Sequence, residues 1–313
     1  MTSPAQTMKA EGCLQLGAPM RAGRAGEGLG RKRAHGTVLL AVISALLVVT
    51  GTGCKGTINK LKANYQVKQG NDFYKAQDYT TAVEYYKRAA RLNPDFPLAY
   101  YHAALSYMAL YKPGSQHEKD IAYQEGAVEN LLKYLKFVPN NEEAKNQLLS
   151  VYLQAARYDD AAIFFEAELA KKDKDKESAS LLMQKLGMIY AKKGDFEKSL
   201  EWYVKRTQLE RDNPEALYTV GVLCWDKVYK QGLTLDMERR EQLIEMGLDY
   251  LNRATRLRKN YFEAISYINL LYREKAKVAQ ILGNEEEMLR FNEEANKYMR
   301  QALDMRKEAM AKQ

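Results

Sequence analysis

Cysteine and histidine are scarce in this chain of 313 residues, at three each, and proline is nearly so at seven. Three cysteines, Cys13, Cys54 and Cys224, supply neither a disulfide framework nor a four-ligand zinc site. Only His102 and His117 follow the apolar N-terminal stretch, which leaves little for metal binding or acid–base chemistry. Phosphate-binding glycine loops, nucleophile elbows, H-E-x-x-H pairs and calcium loops are all missing. The sequence therefore predicts no enzyme, cofactor, metal or small-molecule substrate. Long apolar runs are also absent but for one, Val38 to Val49, which is short of the roughly 20 residues a membrane-crossing helix needs. With 46% hydrophobic and 28% charged residues, the composition excludes a disordered chain and a polytopic membrane protein.

What is abundant points to helices. Tyrosine outnumbers phenylalanine 22 to 8, and Ala, Leu, Lys and Glu are plentiful, as in packed helices whose aromatic residues keep a polar tip. The net charge of +8 is split, because residues 1–53 carry six basic groups against two acidic ones. Over the remainder, Lys, Arg, Asp and Glu interleave as on solvated helix faces, which argues against nucleic-acid binding. The run Lys171–Lys176 lacks the Gly and terminal Glu of a calcium loop and reads as a solvated linker.

Arg31, Lys32 and Arg33 precede the apolar run, and small residues close it: the three parts of an export signal. The closing Gly51, Thr52, Gly53 and Cys54 resemble a bacterial lipobox, with Gly51 where such boxes usually carry Leu. The resemblance implies that Cys54 is acylated and becomes the mature N-terminus. Two alternatives stay open: plain secretion after cleavage near Gly51 and Gly53, or an uncleaved anchor from Gly36 to Gly53. In all three the basic cluster stays inside and the helical part lies beyond the cytoplasm. Lys55, rather than Asp, directly after the cysteine is compatible with the periplasmic face of the outer membrane.

A repeat dominates the rest. Gly70, Phe73, Ala82, Tyr86, Ala89 and Pro94 stand at the signature places of the tetratricopeptide repeat (TPR), which this segment closely resembles. The spacing has its own logic: Gly70 and Ala82 let two antiparallel helices approach, Phe73 and Tyr86 fill the space between them, and Pro94 cannot continue the second helix. A single pair cannot bury its apolar face, so neighbours must stack. Stepping by about 34 residues finds about six units. The second holds Ala103, Ala104 and Tyr107 with an insertion around Lys112 to Gly114. The third holds Tyr152, Ala161 and Phe165, and the fourth Leu186, Gly187, Tyr190, Ser199 and Tyr203. The fifth holds Leu217, Gly221 and Cys224, with an extension through Gly232 before Gly247, Leu251 and Ala254. The sixth holds Ile265, Ile268, Tyr272, Ala295 and Ala302. The expected fold is all-α, a right-handed superhelical solenoid of antiparallel helix pairs. It would comprise a leader and signal (1–53), a lipid-anchor linker (54–62) and the solenoid (63–313) with a C-terminal capping helix.

The resemblance further implies that first helices line a concave groove. Its facing positions are Tyr101, Leu105 and Met108, Met188, and Tyr218, Val222 and Trp225, with Asn71, Tyr74, Asn146 and Gln154 as polar rims. Aromatic and Met residues favour a protein segment as partner. The same side chains could instead be packing between repeats, since a 3.6-residue period does not separate adjacent helix faces. Cys224 falls where the repeat wants a small core residue, and His102 beside core Ala103. The implied function is a non-catalytic protein-binding adaptor or scaffold tethered to the membrane through Cys54, similar to bacterial envelope TPR lipoproteins such as pilotins and outer-membrane assembly subunits. A self-associating structural subunit is the alternative.

Overall fold

The computed structural model describes the backbone of residues 36–171, 175–232 and 234–311, and side chains over the same stretches from residue 56. The side chains of Cys54 and of the apolar run, and part of the Lys171–Lys176 segment, thus lie outside the described residues. Among those described, no helix is long and apolar enough to cross a membrane. The chain divides into two units, Met1–Thr57 and Ile58–Gln313. In the first, the backbone from Gly36 is helical and belongs to α1 (Gly36–Lys75).

In the second unit, eleven further helices follow among the described residues: α2 (Tyr79–Leu92), α3 (Pro97–Leu110), α4 (Glu118–Phe137), α5 (Glu142–Gln154), α6 (Tyr158–Leu169), α7 (Lys176–Lys193), α8 (Phe196–Leu209), α9 (Pro214–Gln231), α10 (Met237–Leu257), α11 (Phe262–Ile281) and α12 (Glu285–Ala311). Most starts have a local cause. Asp78, Asn141, Asp175, Asp195, Asn213 and Asp236 accept from backbone N–H groups of the first turns of α2, α5, α7, α8, α9 and α10, relieving donors that have no partner inside the helix. Pro97 and Pro214 occupy first-turn positions, where a missing N–H costs nothing. Gly194 closes α7 in the left-handed region at φ 86°, where a side chain would be strained.

Helices contact chiefly their chain neighbours, from α2–α3 through α11–α12, and α9 also meets α11 directly. That is the contact pattern of a solenoid, in which each hairpin buries its apolar face against the next. The all-α solenoid expected from the repeat is the observed fold. Buried side chains recur along the stack in successive hydrophobic clusters: Tyr86 in one, Leu131, Leu148, Phe165 and Leu186 in the next, and Leu217, Leu243 and Leu251 in a third are all essentially sealed from solvent. Where the sequence carries extra residues, they lengthen helices more than loops. The fifth-pair extension becomes the last turns of α9 and the first of α10, joined by residues 232–236. The run from Tyr298 continues α12 through Ala311, burying Ala302 and stacking Tyr298 on Tyr272 at 5.5 Å.

Close approach within pairs depends on glycine. A Cβ at Gly70 would stand 2.6 Å from Tyr86 Cε1, and one at Gly187 2.8 Å from the Tyr203 ring. Tyr86 is 1% exposed and its hydroxyl donates to Asn71 Oδ1 at 2.7 Å, so the ring has nowhere to go. Gly70→Ala is expected to cost about 1–2 kcal/mol, overpacking of ~1–3 kcal/mol being partly offset by better helix propensity. At Gly56, where nothing lies within 4 Å, the same change is expected to cost nothing. Paired urea melts of the two variants check this, and equal losses would show that Tyr86 can yield.

One sequence expectation is corrected here. The interleaved charges are not all on solvated faces: Lys145, Lys185, Glu168, Arg240 and Glu274 are buried. Lys145 Nζ lies 2.9 Å from Glu142 Oε1 and 2.8 Å from Glu168 Oε2, while Lys185 reaches the other Glu142 oxygen at 3.1 Å. This network ties α5 to α6 and α7. Alternation of sign along a sequence does not reveal which charged residues fall on the face a neighbouring helix covers.

Candidate protein-binding groove

The first helices of successive pairs lie side by side. Tyr101 on α3 accepts from Gln147 on α5 at 3.1 Å, Glu142 on α5 meets Lys185 on α7, and Tyr218 on α9 meets Tyr267 on α11 edge to face at 5.6 Å. A row of first helices is what a concave groove requires.

All seven side chains predicted to face that groove are half-buried, neither sealed nor free. Their surroundings differ. Tyr101 packs 4.7 Å from Tyr134, and burial raises its hydroxyl pKa even though the Gln147 bond opposes the shift. Met108 and Met188 rest on the hydrophobic core of the N-terminal and middle hairpins. Leu105 stands one position before buried Ser106. These four stay distributed along α3 and α7.

Tyr218, Val222 and Trp225 are brought together. With Ala191, Tyr203, Thr219, Leu223, Asp226 and Tyr267 they line an open cavity of about 380 Å³. One turn of α9 separates Tyr218 from Val222 and nearly one more separates Val222 from Trp225, so all three share a face. The Trp225 ring stacks on Tyr229 at 5.0 Å and meets Tyr267 nearly at right angles, at 5.1 Å and 73°. Burial, together with the neighbouring Tyr267 and Tyr261, holds the Tyr218 hydroxyl far above the usual phenol range, so it remains a neutral donor.

Tyr267, Asp226 and Leu223 were not among the sequence candidates. Tyr267 is one place off the groove register, aligning with Thr219 rather than Tyr218, and enters because α11 packs directly on α9. Cys224 and His102, read from the sequence as packing residues, are both engaged in packing. Cys224 is fully buried, and burial pushes its thiol up to about 12, which suits a small core residue. His102 stacks on Tyr86 at 5.5 Å, and burial lowers its pKa.

Residues 70–110 match the family model described as TPR repeat, so that stretch of α1, α2 and α3 carries a tetratricopeptide repeat. Photosystem I assembly protein Ycf3 of Rippkaea orientalis (strain PCC 8801 / RF-1) is 28% identical over 152 residues, which is 46% of this chain and 86% of that protein. A TPR repeats protein from Bacteroides fragilis NCTC 9343 superposes with a TM-score of 0.43 at 17% identity, covering 69% of this chain and 98% of that one. PilW, a type IV pilus biogenesis factor, does so at 0.35 and 16%, covering 73% and 90%.

Proposed function

We propose that this protein is a non-catalytic adaptor of the bacterial cell envelope, tethered through an acylated Cys54 and holding a partner protein segment in its first-helix groove. The observation that carries the reading is the cavity around Tyr218, Val222 and Trp225: an aromatic surface, open to solvent and set on rigid helices rather than loops. A formed groove lowers the ordering cost of association, and large rings supply most of the contact energy at protein interfaces. The repeat match over residues 70–110 and the Ycf3 likeness support a binding module. The basic cluster, apolar run and closing Cys54 support export and tethering, most simply at the periplasmic face of the outer membrane.

A photocrosslinker placed at Val222 is expected to trap one discrete partner in native cells. The same group at Ile163, on α6 and 67% exposed, is expected to trap none. Val222→Glu should reduce capture at least tenfold while moving the helical melt by no more than a few degrees, since the side chain is only half-buried. Cys54→Ala should release the chain from the membrane fraction. Capture that is equal from both positions would refute the groove.

A second reading has its own observation. Ile281, Leu282 and Leu289 are each more than half exposed around the α11–α12 turn, an apolar group suited to self-association. Sedimentation of the chain truncated before Cys54 separates the two, because a monomer favours the adaptor.

A further inference from the structure

The aromatic cavity has a chemistry more specific than apolar contact. Other rings are covered by the chain's own cations: Lys205 Nζ stands 4.3 Å from the Trp202 centroid and Arg253 5.0 Å from Tyr250, while Arg258 stands 4.4 Å from buried Tyr261, whose ring lies 5.1 Å from Tyr218. Among the described residues, no lysine or arginine stands over Trp225, Tyr218, Tyr267 or Tyr203. Tyr267 lies at 73° to Trp225 and 74° to Tyr218, so it forms one wall of a box rather than a flat patch. Asp226 is the one charged residue among those lining the cavity, and its side chain is 40% exposed. Its only ion-pair partner among the described residues is Lys230, one helical turn away at 2.8 Å and itself 65% exposed. Such a surface pair is worth no more than about 1 kcal/mol and exchanges readily.

From this arrangement we infer that the Trp225–Tyr267–Tyr218 box receives a basic side chain, arginine or lysine, from the partner segment, with Asp226 as its counter-charge. The inference rests on the groove reading above and adds what the groove selects. Ring faces carry negative quadrupole potential, and indole gives the strongest cation–π contact. Lining that holds one carboxylate and no cation makes the potential inside favourable to positive charge and unfavourable to an acidic or C-terminal group. A neutral apolar side chain would gain the ring contact alone.

The test uses the full chain carrying Trp202→Phe, so that Trp225 is the sole indole. Its emission is followed while adding the blocked tripeptide Leu-Arg-Leu or its citrulline counterpart, equal in shape but uncharged. The arginine peptide is expected to saturate the signal in the millimolar range and the citrulline peptide to bind at least fivefold more weakly. Asp226→Asn should remove most of that difference and leave the melt unchanged. Tyr267→Leu should weaken the arginine peptide several-fold. Equal binding of both peptides, or no saturable signal with either, overturns the proposal. Tighter binding of tetramethylammonium than of the arginine peptide also overturns it, by assigning the box to a quaternary ammonium. The adaptor reading fails separately, at the Val222 crosslink: discrete capture together with equal binding of the two peptides would leave the adaptor standing and remove the box.

Discussion

Arg240→Met is expected to lower the melting midpoint by roughly 10 °C, with the loss centred on α10 and α11. Arg240 Nη2 meets Glu274 Oε2 at 3.1 Å, and both side chains are only 5% exposed. Without the guanidinium, Glu274 keeps Lys277, at 2.6 Å, yet remains in the interior. Removing one partner of a buried pair costs ~3–5 kcal/mol, because the other charge is left poorly compensated. For a chain of this size each kcal/mol moves the midpoint by about 2–4 °C. The double variant Arg240→Met with Glu274→Leu should recover most of the loss, since an apolar pair of similar volume is often no worse than the ion pair it replaces. Arg240 Nε finds no acceptor among the described residues, so the native pair is not ideal either. A single variant that loses less than about 1 kcal/mol would show that the pair is wetter than its geometry indicates.

Lys145→Met should be comparably damaging at neutral pH, and its pH dependence should identify the cause. For Glu168 and Glu142, burial alone would raise the carboxyl pKa, but hydrogen bonds outweigh it: Lys145 and Lys171 act on Glu168, and Lys145 and Lys185 on Glu142, so both fall below the ordinary value. A carboxyl whose folded pKa is depressed adds stability above its unfolded pKa of about 4.3 and loses it as the pH falls through the folded value. The native chain should therefore weaken on acidification below about pH 4.5. In the methionine variant Glu168 loses its closest buried cation, the desolvation effect gains weight, and protonation becomes less costly. The gap between native and variant urea midpoints is thus expected to be widest near pH 7 and to narrow towards pH 4. A gap independent of pH would mean that packing, not charge, is lost.

The fold was legible because the repeat writes its packing into few positions. Gly70 and Gly187 mark where a ring from the second helix must enter, and Tyr86 and Tyr203 are those rings, each sixteen places later. Asp78, Asp195, Pro97 and Pro214 stand at helix starts, where their preferences act locally. The candidate site was legible only in part. Tyr218, Val222 and Trp225 share one helix face, and the resemblance to the repeat, rather than spacing alone, marks that face as the groove. Tyr267 reaches the same cavity across a contact between helices that are not chain neighbours, and Tyr101 turns out to be engaged by Tyr134 and Gln147. Lys145 and Arg240 were hidden for the related reason that a helical period gives directions but not which direction a neighbour covers.

The direct α9–α11 contact makes the stack uneven under load. Where hairpins hold only their immediate neighbours, a pull along the axis would release length in discrete steps, one hairpin after another. Between Pro214 and Ile281 three helices are braced against one another, so they should yield together and at higher force. The aromatic box lies inside that brace, where a tugging partner would distort it last.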